Sequence, residues 1–354
     1  MEMRLSFFCW FHSLTLRNID ILQQLSKSIF MHTVEHLQEL FLKYLQEELF
    51  DQSPMELYDP INYILQLGGK RLRPVLLLMG ANLFSENIDH ALPASLAIEI
   101  FHNFSLVHDD IMDEAPLRRG KPTVHIKYGQ NAGILSGDAM LILTYQYLNQ
   151  LKNPKQLQPI LFIFNQLAIE VCEGQQYDMN FETQESVEID SYLKMIELKT
   201  SVLIAGGLKI GALIGGAEEK DANDLYEFGR HIGIAFQLQD DILDTFGDPE
   251  KFGKKVGGDI AQNKKTFLLL KSIEQATGKD RVDLLTALST TTDPAQKIDR
   301  ITKIYNKLKV QEQATELMEE YLQKAFLHLD RVNVPESRKI LLKNLANELM
   351  MREI

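Results

Sequence analysis

Apolar residues recur at helical spacing along most of this chain. Between residues 34 and 50, Leu37, Leu40, Phe41, Leu45 and Leu49 fall near one face of a 3.6-residue period, which predicts an amphipathic helix. Pro74 opens the apolar run 75–79, where a proline suits the first helical turn. Residues 94–112 form a long, mostly apolar segment that ends in acids. Further helices are predicted over 134–151, 159–181, 187–216, 221–246, 265–275, 294–310 and 311–329. Strand-like alternation is nearly absent, and there is neither a fixed-period repeat nor a Gly/Ser-rich linker. One all-α domain over residues 31–354 is the simplest organisation. Residues 1–30 differ: the apolar clump 5–11 follows a single Arg4, is too short for a secretory signal and lacks a clear cleavage site. They read as a disordered extension or a misassigned start, with Met31 opening the regular pattern.

No run of 18 clean apolar residues predicts a membrane span. The nearest, 202–217, is short and interrupted by Lys209. Its Gly207, Gly211 and Gly215, spaced by four, predict a buried helix in close contact with a neighbour.

Composition narrows the function classes. The net charge of −12 argues against coating nucleic acid, which needs a basic face. Two cysteines, Cys9 and Cys172, make neither a disulfide framework nor a zinc motif, and fit a reducing cytoplasm. Cys172 reads as a small buried residue with no nucleophilic role.

The chemistry is concentrated in two acidic clusters, Asp109-Asp110-Ile111-Met112-Asp113 and Asp240-Asp241-Ile242-Leu243-Asp244, each ending an apolar helical segment. At i and i+4, Asp109 and Asp113 share a helix face, as do Asp240 and Asp244; such like-charge pairs cost a helix roughly 0.2–0.5 kcal/mol. Carboxylates at a helix C-terminus cost up to about 1 kcal/mol more each. A single cluster is readily a solvated helix end, but two behind apolar helices call for a cation, and an all-carboxylate set suits Mg²⁺ with substrate phosphates completing its shell. Basic groups supply the complement: Lys70, Arg71 and Arg73 at a helix start, Arg118-Arg119, Lys199-Thr200, Lys254-Lys255 and Lys264-Lys265. Each alone reads as solvated surface; together with the acidic pairs they form what a magnesium–diphosphate site requires.

These residues resemble the trans-isoprenyl diphosphate synthases, the polyprenyl synthetase family. The resemblance rests on GGKRLRP at 68–74, DDIMD at 109–113 followed by LRRG, GQxxD at 174–178, KT at 199–200, FQLQDDILD at 236–244 and FGKxxGGD at 252–259, in that order. It covers residues 31–354 and is strongest over 60–270. It implies an all-α domain of about ten core helices around a deep central cavity, usually a homodimer, that joins isopentenyl diphosphate to an allylic diphosphate with Mg²⁺, three ions when substrates are bound. By the same resemblance, Asp109, Asp110, Asp113, Asp240, Asp241 and Asp244 form the metal sites, with Asp110 and Asp241 supporting the outer pairs. Lys70, Arg73 and His102, helped by Arg119, clamp isopentenyl diphosphate; Arg118, Lys199, Lys254 and Lys264 hold the allylic diphosphate; Thr200 and Gln237 face the developing carbocation. Two diphosphates of three charges each, about 5 Å apart at an effective dielectric near 20, repel by roughly 30 kcal/mol, so neither binds without metal and several cations. No covalent nucleophile is needed, and His108 reads as a supporting or packing residue. Phe104 and Ser105, five and four residues before Asp109, with Phe101 one turn further, are expected to set product length: an aromatic followed by a small residue resembles C20 (geranylgeranyl) synthases, with C15 next.

Three rivals remain. A terpene cyclase or head-to-head synthase leaves the GGKRLRP clamp without purpose. A phosphohydrolase built on His108-Asp109 leaves the second cluster unexplained. A non-catalytic partner subunit would be expected to have lost site residues that are intact here. Because residues 1–30 show no sustained amphipathic pattern, a chain beginning at Met31 is expected to fold and to turn over at the full-length rate; loss of either on truncation, followed by circular dichroism and a turnover assay, would show the extension to be structural.

Overall fold

A computed structural model describes residues 31–248, 256–289 and 293–351. The expected all-α architecture is present. Helices α1 (Val34–Glu47), α2 (Met55–Gln66), α3 (Leu72–Asn82) and α4 (Leu92–Met112) lead to a two-stranded hairpin, β1 (Leu117–Arg118) and β2 (Lys121–Pro122). Next come α5 (Val124–Tyr128), α6 (Gln130–Leu148), α7 (Pro154–Thr183), α8 (Ile189–Ile196), a π-turn (Glu197–Ser201), α9 (Val202–Gly215) and α10 (Glu219–Phe246). The remainder is α11 (Gly258–Ala261), α12 (Phe267–Gln275), α13 (Gly278–Ser289), α14 (Pro294–Leu308), α15 (Val310–Arg331) and α16 (Glu336–Met350).

The amphipathic helices behave as their patterns dictate. In α1, Leu37, Phe41 and Leu45 are buried, each contributing roughly 1.5–3 kcal/mol. The side chain of Thr33 caps this helix, accepting from the His36 N–H at 3.3 Å. Helices α3 and α9 are apolar on nearly every side, so they form the centre of the bundle. The glycine spacing in α9 does what it predicted. A Cβ on Gly211 would sit 1.9 Å from the Leu77 carbonyl oxygen and one on Gly215 2.5 Å from that of Ala81, so only hydrogen there lets α9 lie against α3. Gly207 makes only ordinary contact, at 3.8 Å. By length and composition, 189–215 passes as a membrane span, which the sequence reading excluded, but 67% of its apolar window is buried inside the protein. Around this centre, α4 packs on α6, and α10 packs between α9 and α15.

Besides the short α5 and α11, three longer described helices were not predicted from the sequence. Helix α2 carries Pro60 inside it, which reads as a breaker. Helix α13 buries only Leu284 and Ala287, and α16 has weak amphipathicity. The predicted single helix 187–216 is also corrected: it is interrupted by the π-turn at Glu197–Ser201, a local widening that periodicity does not report.

Candidate active site

The acidic clusters lie at the C-terminal ends of α4 and α10; Asp240 and Asp244 line one cavity, Asp109 an adjoining one, and Lys199 and Thr200 line both. Within each cluster the outer aspartates differ from the middle one. Asp110 is buried, and both of its oxygens accept from the Arg118 guanidinium, at 2.8 Å each. Asp241 is buried too; it accepts from the Tyr192 hydroxyl and, at 3.2 Å, from Gln237 Nε2. Burial, with Asp259 nearby, pushes its carboxyl up to about 7. The oxygens of Asp110 and Asp241 thus brace Arg118, Tyr192 and Gln237, the supporting place expected for the middle aspartates. The outer pairs keep the expected placement. Asp113 is pushed up by burial and by its neighbour Asp109, the repulsion that a cation would relieve. Asp244 accepts the Asp259 backbone N–H at 2.9 Å. Asp109 and Asp113 at the end of α4, and Asp240 and Asp244 on α10, offer carboxylate oxygens of the kind a hard divalent cation takes.

Lys199 lies where these cavities adjoin. Its ammonium donates to Asp178 at 2.6 Å and to Asp109 at 3.5 Å. The π-turn sets Lys199 beside Thr200, whose hydroxyl donates to Gln237 Oε1 at 3.3 Å. This segment lies against α7 so closely that a Cβ on Gly174 would meet the Lys199 nitrogen at 2.2 Å, which explains the glycine of GQxxD.

A second group of cations stands at the start of α3. Arg73 Nη1 lies 3.2 Å from His102 Nε2, and the buried Arg73 Nε makes no hydrogen bond. Burial lowers the basicity of Arg73 and, together with Arg73, Arg119 and Arg118, keeps His102 neutral well below its ordinary value. His102 is thus held as a neutral hydrogen-bonding partner of Arg73. Arg119 and Gly120, at the hairpin turn, both have positive φ, the pairing of a type I′ turn. Arg119 donates to the Gly68 carbonyl, and a Cβ on Gly69 would meet its Cζ at 2.8 Å. Lys70 is exposed beside them. Arg71 points inward to Glu99 and the Leu65 carbonyl, anchoring the loop to α4. Like charges gathered in a half-buried pocket are stable where an anion completes them. Lys264, half-exposed, lies 3.8 Å from Asp259. Lys254 lies outside the described residues.

Two cavities meet here. The polar one is lined by Asp178, Tyr192, Lys199, Thr200, Gln237, Asp240, Asp244, Asp259, Lys264 and Lys265. The apolar one runs between α4 and α7, past Phe104, Ser105, His108, Met112, Val171, Cys172, Met179 and Leu203. Lys199 and Thr200 line both. Phe104 and Ser105 stand where the sequence put them. Phe101 does not: it is buried behind Phe104, ring centroids 5.5 Å apart, and packs edge-on against Phe164. Cys172 is also corrected, being exposed to the cavity; burial and Glu173 push its thiol up, so it remains a poor nucleophile. His108 packs edge-on against Phe104 and contacts the Ile134 carbonyl at 3.1 Å, the supporting role expected. Asp178, Asp259, Lys265 and Tyr192 were not assigned from the sequence. Asp178 and Asp259 close two of the motifs, so a signal existed for those; Tyr192 and the α7 wall had none.

An acid-walled, cation-lined cleft opening into an apolar channel, on an all-α bundle, defines a prenyltransferase working on diphosphate substrates. Residues 54–308 match the polyprenyl synthetase family, and the chain belongs to it. It is similar to a geranylgeranyl diphosphate synthase of Methanosarcina mazei, 42% identical over 228 residues covering 64% of this chain and 70% of the relative. A geranylgeranyl pyrophosphate synthase of Geoglobus acetivorans is 36% identical over 317 residues, 87% of this chain and 95% of the relative. A solved geranylgeranyl pyrophosphate synthase superposes with a TM-score of 0.87 at 42% identity, covering 92% of this chain and 100% of that one. The activity is short-chain trans-prenyl condensation.

Proposed function

We propose that this enzyme condenses isopentenyl diphosphate with an allylic diphosphate to give mainly C20 geranylgeranyl diphosphate, with C15 next, as a homodimer using three Mg²⁺ ions. The observation that carries the reading is the junction at Lys199 and Thr200, where the polar cleft meets the apolar channel. A diphosphate head on the cleft side puts its prenyl tail in the channel. Asp109, Asp113, Asp240 and Asp244 would hold the metal. When bound, it neutralises the allylic diphosphate and stabilises the charge on the leaving group. Lys199, fixed by Asp178, meets that diphosphate from the protein side, with Lys264 at the rim. Arg118, oriented by Asp110, and Lys254 complete the allylic side. Arg73, His102, Lys70 and Arg119 take isopentenyl diphosphate.

Loss of diphosphate from the allylic C1 leaves an allyl cation. The π-electrons of the isopentenyl double bond form the new C–C bond to it, and the resulting tertiary cation then loses a proton to the released diphosphate, forming the new double bond. Thr200 and Gln237 both line the polar cleft, and their oxygens would stabilise the cationic carbon without being consumed. Support for the dimer comes from α6 and α7, which expose Leu135, Ile142, Phe162 and Ile169, an apolar face suited to a second copy.

Incubating the protein with Mg²⁺, labelled isopentenyl diphosphate and each allylic primer, and sizing the products, tests the reaction. The same assay tests the division of cations. Arg73→Ala is expected to raise KM for isopentenyl diphosphate about 10²-fold, the equivalent of one or two charge-assisted hydrogen bonds. Lys199→Ala is expected to act on the allylic diphosphate and on kcat. Equal effects of both variants on the same substrate would contradict the two-site arrangement.

A further inference from the structure

Remote from the cleft, α10 and α15 bring two histidines and a glutamate together. Glu227 and His231, four residues apart, share a face of α10, and His328 meets them from α15; one ligating atom of each lies within 4.8 Å of the others. The two imidazoles stack, with centroids 5.5 Å apart and planes at 18°.

Both rings are already oriented. His231 Nδ1 lies 2.7 Å from the Glu227 carbonyl oxygen, and His328 Nδ1 lies 3.1 Å from Asp224 Oδ1. An acceptor at Nδ1 keeps the proton there and leaves the Nε2 lone pair for a ligand, the support that metal-binding imidazoles ordinarily have. The local field also suits a cation. Arg230 Nη2 donates to Glu227 Oε2 at 2.7 Å and lies 3.5 Å from His231 Nε2, so these acceptor atoms already face a positive group. Glu227 and Glu197 pair with that one guanidinium, and Asp224 lies against His328. A surface pocket lined by Asn223, Asp224, Glu227 and Arg331 reaches the cluster at Glu227.

We propose that Glu227, His231 and His328 form a three-ligand site for a zinc-class divalent transition ion, completed by water, that fastens α15 to α10. Two imidazoles and a carboxylate suit Zn²⁺, whose tetrahedral ligands stand about 3.3 Å apart, so side-chain rotations of about 1 Å close the set. Arg230 swings from Glu227 and keeps its bond to Glu197 Oε2, 3.1 Å away. Imidazole ligands separate this site from the all-carboxylate cleft, which prefers Mg²⁺. His231 and Asp240 are nine residues apart on α10, about 13 Å along the axis, so the two sites are distinct.

The test uses metal-stripped full-length protein in excess Mg²⁺, titrated with Co²⁺ as a spectroscopic probe. One equivalent is expected to give the d–d absorption of a four-coordinate site, displaced by one equivalent of Zn²⁺. Asp240→Ala should leave that absorption unchanged. His328→Gln should abolish it while retaining Mg²⁺-dependent turnover. Asp224→Asn should weaken Co²⁺ binding about 10–100-fold through loss of the oriented ring. Glu227→Gln gives a second reading of the same band if His328→Gln folds poorly. Absence of stoichiometric uptake by the wild type, or a band that persists in both His328→Gln and Glu227→Gln, overturns the proposal.

Discussion

Asp109→Ala and Asp240→Ala are each expected to lower kcat by at least about 10²–10³-fold with the helical fold intact, the scale of losing one group that stabilises transition-state charge. Asp109 stands in the last turn of α4, where a carboxylate is unfavourable, so its removal costs the metal-free protein little stability. Asp110→Ala is the contrasting case. It leaves Arg118 without its two-pronged partner inside the protein, and a stability loss of about 2–4 kcal/mol is expected. Thermal unfolding together with Mg²⁺-dependent turnover separates the two classes. Near-wild-type turnover of either outer variant at saturating Mg²⁺ would remove that aspartate from the metal site.

Product length should respond to Phe104 and Ser105 and not to Phe101. Phe104 lines the channel beside Ser105, whose hydroxyl donates to the His102 carbonyl at 2.8 Å and so leaves a small face towards the tail. Phe104→Ala is expected to lengthen the main product by at least one C5 unit, and Ser105→Phe to shorten it. Phe101→Ala removes a ring packed between Phe104 and Phe164; an expected stability loss of roughly 3–5 kcal/mol comes with little change in product. Chromatography of the dephosphorylated products decides this. An unchanged distribution in both Phe104→Ala and Ser105→Phe would place the floor of the channel on another helix.

Much of this molecule was legible along the chain because its signals are local. Helical periodicity located α1, α4, α7 and α10, since burial of one helix face repeats every three or four residues. The glycines at 211 and 215 announced a close helix contact, because backbone approach requires the absence of Cβ. The acidic clusters announced a cation, because like charges at a helix end are otherwise unfavourable. Helix α2 was hidden by Pro60, and the π-turn by the continuous apolar run around it.

By itself the sequence determined the helical class, the paired aspartates and the basic blocks, all consequences of residue type and spacing within single segments. Tertiary structure decided which aspartate of each cluster turns inward, because that depends on whether Arg118 or Tyr192 lies behind it. It also decided that Asp178 holds Lys199, that Phe101 stands behind Phe104 and that His328 meets His231. Each of these contacts joins segments or rings whose facing is fixed by side-chain direction and helix packing, and neither quantity is encoded in the spacing along one helix.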